Sequence, residues 1–129
     1  MSKEKEDFLL YQCKMNYLTN LIRTKQISSG DVLLYQLMDS QKVKIKDEYY
    51  LAISLEELSK QSYKSQNRIK DQIKKLEKVR LLTIIYVIKV GNKQQQVETY
   101  NEVLSNGVRN LVKVKYRMEI EKYIFGYNP

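Results

Sequence analysis

Residues 54–82, "SLEELSKQSYKSQNRIKDQIKKLEKVRLL", hold two short amphipathic segments separated by a few polar residues. Ser54 opens the first as an N-cap. Glu57 stands three residues on, the spacing of a capping box in which the hydroxyl accepts the Glu57 amide and the carboxylate accepts the Ser54 amide. Ile53 and Leu58 occupy the positions of a hydrophobic staple. The helix so started is expected to reach about Gln61. "SYKS" (62–65) then breaks it and offers Ser62 or Ser65 to cap the next. That next helix is expected from Gln66 to about Val79, with Ile69, Ile73 and Leu76 turned inward. At about 100° per residue, the direction opposite those three belongs to Asn67, Asp71, Lys74 and Lys78, flanked by Arg68, Lys70 and Lys75.

This outward face is charged. Between residues 64 and 80 there are seven basic side chains (Lys64, Arg68, Lys70, Lys74, Lys75, Lys78, Arg80) and two acidic ones (Asp71, Glu77), a net +5 out of +8 for the whole chain. With 23 Lys and Arg against 15 Asp and Glu, and pI ≈ 9.4, a polyanionic partner is favoured, either nucleic acid or an anionic membrane. A plainer reading makes the face merely solvated, with Asp71 and Lys75 as an i, i+4 pair worth a few tenths of a kcal/mol. Concentration of the excess in one helix favours nucleic acid.

Composition narrows the function further. A chain of 129 residues, 43% hydrophobic and 29% charged with one Pro, is the size and composition of one folded domain. No run approaches the ~18 apolar residues of a membrane span, and residues 1–7 precede no signal-type apolar core, so a cytoplasmic protein without a membrane partner is expected. Cys13 is the only cysteine. It forms no internal disulfide and is expected as a small core residue. Histidine is absent. That removes the commonest general base and metal ligand, and no Gly-rich phosphate loop or tight acidic group replaces it, so no catalysis, metal or cofactor is expected.

Outside the opening stretch, Phe8, Tyr11, Met15, Leu18 and Ile22 recur at spacings of three and four and define a helix over 4–25. Its apolar stripe serves either its own domain or a dimer seam. Ser28 or Ser29 caps a second helix ending near Gln41, with Val32, Leu33, Leu37 and Met38 on one face. "DEYYLAIS" (47–54) reads as a short strand. "LLTIIYVIKV" (81–90) and "QQVETYNEV" (95–103) read as strands of a hairpin turned at Gly91, Asn92 and Lys93. Beyond Leu104 two readings compete. "LVKVKYRMEI" alternates as a strand from Val112 to Ile120, which Asn106-Gly107 would turn back on the preceding strand. Alternatively, Ser105 caps a helix with Leu104 and Val108 as its staple, and "EIEKYIF" suits either. Val112 and Val114 favour the strand.

Helix, strand, helix, short turn, basic helix, β-hairpin: this order resembles the winged helix-turn-helix superfamily over residues 27–104. The resemblance implies a mainly α fold with a small antiparallel sheet, an α+β class, carrying an added N-terminal helix (1–26) and a C-terminal extension (105–129), either of which is available for dimerisation. It also implies double-stranded DNA binding as a homodimer, with the helix after the turn in the major groove. By position, Gln66, Asn67, Arg68, Lys70 and Asp71 would then meet base edges, and Lys74, Lys75 and Lys78 phosphates. Ser65 at the helix start and Lys93 in the wing complete the expected contacts, and Phe8, Tyr11, Met15, Leu18 and Ile22 the expected seam. Two departures stand out. Arg80 occupies a position where glycine is common, and the wing balances Lys89 and Lys93 against Glu98 and Glu102.

Independently of the resemblance, a major groove ~12 Å wide accepts one helix, and Arg and Asn match guanine and adenine edges. The expectation is thus a dimeric DNA-binding protein. It would be a transcriptional regulator similar to the multiple-antibiotic-resistance type, or a plasmid or phage partition, replication or transfer factor. No residue cluster identifies a small-molecule effector. Two alternatives remain: a winged helix used for protein docking, and a single-strand or RNA binder using Tyr49, Tyr50, Tyr86 and Tyr100.

Overall fold

Hydroxyl side chains set the helix starts. In the computed structural model, which describes residues 2–125, Ser2, Ser28, Ser54, Ser65 and Thr99 each accept the backbone N–H three residues on. They open α1 (Lys3–Arg23), α2 (Ser29–Asp39), α3 (Leu55–Ser62), α4 (Gln66–Lys78) and α5 (Tyr100–Asn106). The reciprocal capping box forms at Ser28, where the Asp31 carboxylate accepts the Ser28 amide at 2.9 Å. At Ser54 only half of the expected box is made. Its Oγ accepts the Glu57 amide at 3.0 Å, while the Glu57 carboxylate accepts from Gln61 Nε2 at 3.3 Å.

The strands are β1 (Val43–Ile45), β2 (Glu48–Leu51), β3 (Leu82–Val90), β4 (Lys93–Val97) and β5 (Leu111–Met118). A last helix, α6, covers Ile120–Phe125. They form one antiparallel sheet in the order β1-β2-β5-β3-β4, and the fold is of the α+β class. β3 and β4 make the expected hairpin, with Val90 opposite Lys93 and Gly91 supplying a φ of 62° at the first loop position.

The sheet departs from the sequence reading in four places. β1 was not foreseen. The strand expected over 47–54 is confined to Glu48–Leu51. The second hairpin strand stops at Val97, and 98–103 is not strand, because Thr99 caps α5 and turns Val103 into a small second core with Ile88 and Val97. Ser105 therefore lies inside α5 and caps nothing. The C-terminal stretch is indeed a strand, but β5 does not fold back on β4. It inserts between β2 and β3, pairing Leu82 with Met118 and Leu51 with Tyr116. The reason is burial: β4 ("KQQQV") offers only Val97 to the interior, whereas Tyr116 and Met118 need the inner face that a central position provides. Residues 111–118 are consequently the middle of the sheet rather than an appendage to 27–104.

Helices α2, α3 and α4 bury Leu34, Tyr35, Met38, Leu58, Ile69, Ile73 and Leu76 against Leu82, Tyr116 and Met118. Leu33, expected inward, is 64% exposed, because Val32, Leu34, Tyr35 and Met38 already fill the inner arc of α2. Cys13 is exposed on α1 and is not a core residue. Four charged groups clamp the ends of the chain to the middle. Lys14 of α1 pairs with Asp39 (2.9 Å) and Glu121 (2.7 Å), and Lys42 pairs with the same two carboxylates, at 2.7 Å for Asp39. Burial alone would lower the Lys14 pKa, but the hydrogen bonds to Glu121 and Asp39 outweigh it and hold the ammonium well above its ordinary range.

α4 ends in a Schellman motif. Leu81 N–H reaches Leu76 O at 3.0 Å, Arg80 N–H reaches Glu77 O at 2.9 Å, and Arg80 carries the left-handed φ of 63° that the motif requires. This is why the position suits glycine. Replacing Arg80 by Gly is expected to stabilise the protein by about 1 kcal/mol, read as a rise in the urea midpoint at unchanged m-value.

Candidate nucleic-acid interface

α4 is divided cleanly along its length. Ile69, Gln72, Ile73 and Leu76 are buried, whereas Gln66, Asn67, Arg68, Lys70, Asp71, Lys74, Lys75 and Lys78 are all exposed. Among the described residues none of these exposed side chains is engaged by another protein group, and the pair Asp71–Lys75 is not made. Helix α3 by contrast uses its own i, i+4 pair, Lys60–Glu56 at 3.5 Å. The outer face of α4 is thus a row of donors and cations held by a rigid backbone and left for solvent or a ligand.

The basic face continues beyond α4 on both sides. On one side Lys70 and Lys74 line a cleft of about 190 Å³ against Ile84, Tyr86 and Tyr116 of the sheet. Beside it, Gln66 shares a wider hollow of about 670 Å³ with Ser54, Glu56 and Lys113. Lys113 lies where β2 has already turned away, since Leu51 opposite Tyr116 is the last β2–β5 pair, so that edge of β5 is open. On the other side Lys75 and Lys78 meet Lys25 across a cleft of about 440 Å³ at the start of α2. Periodicity within α4 has no means of finding Lys25 and Lys113, which are brought in by the α1–α2 turn and by the central strand.

Other expected residues take different places. Ser65 Oγ is the N-cap of α4, accepting Arg68 N–H at 3.2 Å, while its O–H stays available to donate. Lys93 sits in the hairpin at the far end of β3 and lines none of the clefts along α4. Of the expected seam, Leu18 is buried, Ile22 packs on the core, and Met15 is half-buried with Gln36 Nε2 3.0 Å from its sulfur. Leu18 and Ile22 therefore serve their own core. Phe8 (59% exposed) and Tyr11 (58%), with Leu9, remain uncovered on the first half of α1.

Sequence reading missed Tyr63. It is 95% exposed, the most exposed large apolar-bodied side chain of the chain's described part, and it takes φ 57° at the C-cap of α3, immediately before α4. "SYKS" signalled a turn but not that the tyrosine would occupy its left-handed position. No helix of the described structure is long and apolar enough to cross a membrane. Comparison with protein-family models finds no match, and neither the curated proteins nor the solved structures give a significant one.

Tyr63→Gly separates stability from binding. The change is expected to raise the urea midpoint by relieving the left-handed strain, by about 1 kcal/mol. If Tyr63 belongs to a nucleic-acid interface, the same variant should lose affinity for duplex DNA. A variant that gains stability with unchanged affinity would remove Tyr63 from the interface.

Proposed function

We propose that this chain is a double-stranded DNA-binding protein of the winged helix-turn-helix kind, working as a homodimer in transcriptional control or in plasmid or phage partition, replication or transfer. The observation that carries the reading is the exposed face of α4: nine polar side chains, five of them cationic and two anionic (Asp71, Glu77), none hydrogen-bonded or ion-paired within the described part of the protein. A basic stripe concentrated on one helix is the electrostatic footprint that a polyanion recognises. The order α2, β2, α3, turn, α4 supports the reading. β3 and β5 serve as the two strands after α4, with β4 and α5 interposed between them. In this arrangement Gln66, Asn67, Arg68, Lys70 and Asp71 face bases, while Lys74, Lys75 and Lys78 neutralise phosphates.

A second copy fits the uncovered Phe8, Leu9 and Tyr11 of α1 and the exposed row Tyr100, Leu104, Val108 and Val112 around α5. Two-fold symmetry would set the two α4 helices ~34 Å apart or a multiple of it, one per successive major groove.

Fluorescence anisotropy on duplex DNA across a salt series tests the assignment. Arg68→Ala and Asn67→Ala should each cost ~1–3 kcal/mol on a selected site and little on random duplex. Lys74→Ala should weaken both and flatten the slope of log K against log salt by about one. Unchanged affinity and slope in folded Arg68→Ala and Lys74→Ala would sink the DNA-reading role of α4 and leave protein docking as its use. Light scattering with Phe8→Ser/Tyr11→Ser, expected to shift the dimer to monomer, tests the seam.

A further inference from the structure

We propose that the free edge of β5 receives, as an added strand in line with β2, an extended segment of a partner protein in which acidic and apolar residues alternate. The ladder on that side of β5 is unfinished. β3 accompanies β5 from Leu111 to Met118, whereas β2 pairs only with Tyr116, Arg117 and Met118 before the chain turns off at Ala52 towards α3. Among the described residues no backbone hydrogen bond joins residues 52–56 to β5 in its place. Every second residue of an antiparallel strand aims its N–H and C=O at the same side, so residues 112–115 present a short row of unmatched donors and acceptors where β2 has left.

Space for a strand lies beside that row. The hollow of about 670 Å³ that holds Lys113 and the cleft of about 190 Å³ along α4 share Leu55, Val114 and Tyr116, so the two run together as one trough. Its floor is apolar: Ile53, Leu55, Ile84 and Val114 pack on the core but remain partly uncovered. Its rim is cationic. Lys70, Lys74 and Lys113 line it against one carboxylate, Glu56, which Lys60 already pairs at 3.5 Å.

The sequence of β5 sets the chemistry of the missing strand. Val114, Tyr116 and Met118 face the helices, and alternation puts Lys113, Lys115 and Arg117 on the opposite face. Arg117, beside β2, has Glu98 and Glu119 as partners. Lys113 and Lys115, beyond the end of β2, have no carboxylate partner among the described residues, and Lys115 Nζ rests 4.4 Å from the centre of the Tyr50 ring. Burial, and then repulsion from Lys113, lowers the Lys115 pKa. An incoming strand with acidic side chains on this face meets both ammonium groups as cross-strand neighbours, and its apolar side chains, on the other face, cover Leu55 and Val114. A phosphate backbone answers the lysines but not the apolar floor, and it brings acceptors alone to a row that holds donors and acceptors alike. The inference needs only the open edge and its trough, and does not rest on the DNA-binding reading.

Nitrogen-15 NMR of the full chain, titrated with the end-capped peptide Asp-Val-Asp-Leu-Asp-Val, tests the edge without DNA. Backbone amides of residues 112–115 should shift saturably, and hydrogen exchange of those aimed at the open side should slow. The peptide Lys-Val-Lys-Leu-Lys-Val should bind at least about fivefold more weakly, and Lys113→Glu, a change at an exposed position, should cancel that preference. Asp-Asp-Asp-Val-Leu-Val, of the same composition as the first peptide but without its alternation, should lose at least about threefold. Shifts that fail to saturate, that spare residues 112–115 or that do not distinguish the three peptides overturn the proposal, as does a preference that Lys113→Glu leaves intact. Movement of these amides by a short random duplex, with none by the acidic peptide, gives the edge to DNA and overturns it equally.

Discussion

β5 follows every other strand in the chain, yet it lies at the centre of the sheet. The strands that lead into and out of the α3–α4 unit are held by that insertion. β2, which leads into α3, is held through Leu51 opposite Tyr116, and β3, which leads out of α4, is held along its length from Leu82 opposite Met118 to Ile88 opposite Leu111. Glu119 N–H reaches Leu81 O at 2.9 Å, tying the end of β5 to the residue that closes α4. Arg117 extends the tie to Glu98 at 2.6 Å and to Glu119. Remove β5 and the two flanking strands lose their common neighbour. Such pairing between distant parts of the chain must be reached against loop entropy.

The clamp of Lys14, Lys42, Asp39 and Glu121 does the corresponding work at the other end of the molecule. Two cations and two carboxylates alternate, so each charge has two opposite neighbours and none is left alone in a poorly solvated place. It fixes α1 only from Lys14 onward. The turn before it, with Phe8 and Tyr11, has no equivalent anchor, which is why α1 changes from a core helix to an uncovered one partway along.

Local signals made half of this structure readable. A hydroxyl cap, a three-and-four spacing and a Gly turn act within a few residues, and they located α2, α3, α4 and the β3–β4 hairpin. The charged face of α4 was legible for the same reason, since periodicity assigns both sides of a helix at once. What sequence could not supply was any choice made at long range. The alternation of Val112, Val114 and Tyr116 announces a strand but not its neighbours, and "QQVETYNEV" reads as strand until Thr99 is needed as a cap. Cys13 and Leu33 looked like core because their neighbours were apolar, but the inner arc of a helix has room for only some of an apolar run. Gln72 was invisible because it is polar at a position that the period assigns to the interior.

The non-glycine left-handed residues cluster mainly around α4. Lys25, Lys46, Tyr63 and Arg80 all hold φ near 60°, where a side chain costs ~1–2 kcal/mol and glycine costs nothing. Glycine serves at Gly91 and Gly107, so the chain does use it where the backbone alone matters. Three of the four exceptions surround α4: Tyr63 just before it, Arg80 just after it, and Lys25 across the cleft from Lys75 and Lys78. Two are cations and one is an almost fully exposed aromatic ring, the side-chain types that a phosphate backbone and its sugars meet. On the DNA-binding reading proposed above, contacts of these side chains with the ligand would offset the strain kept around α4.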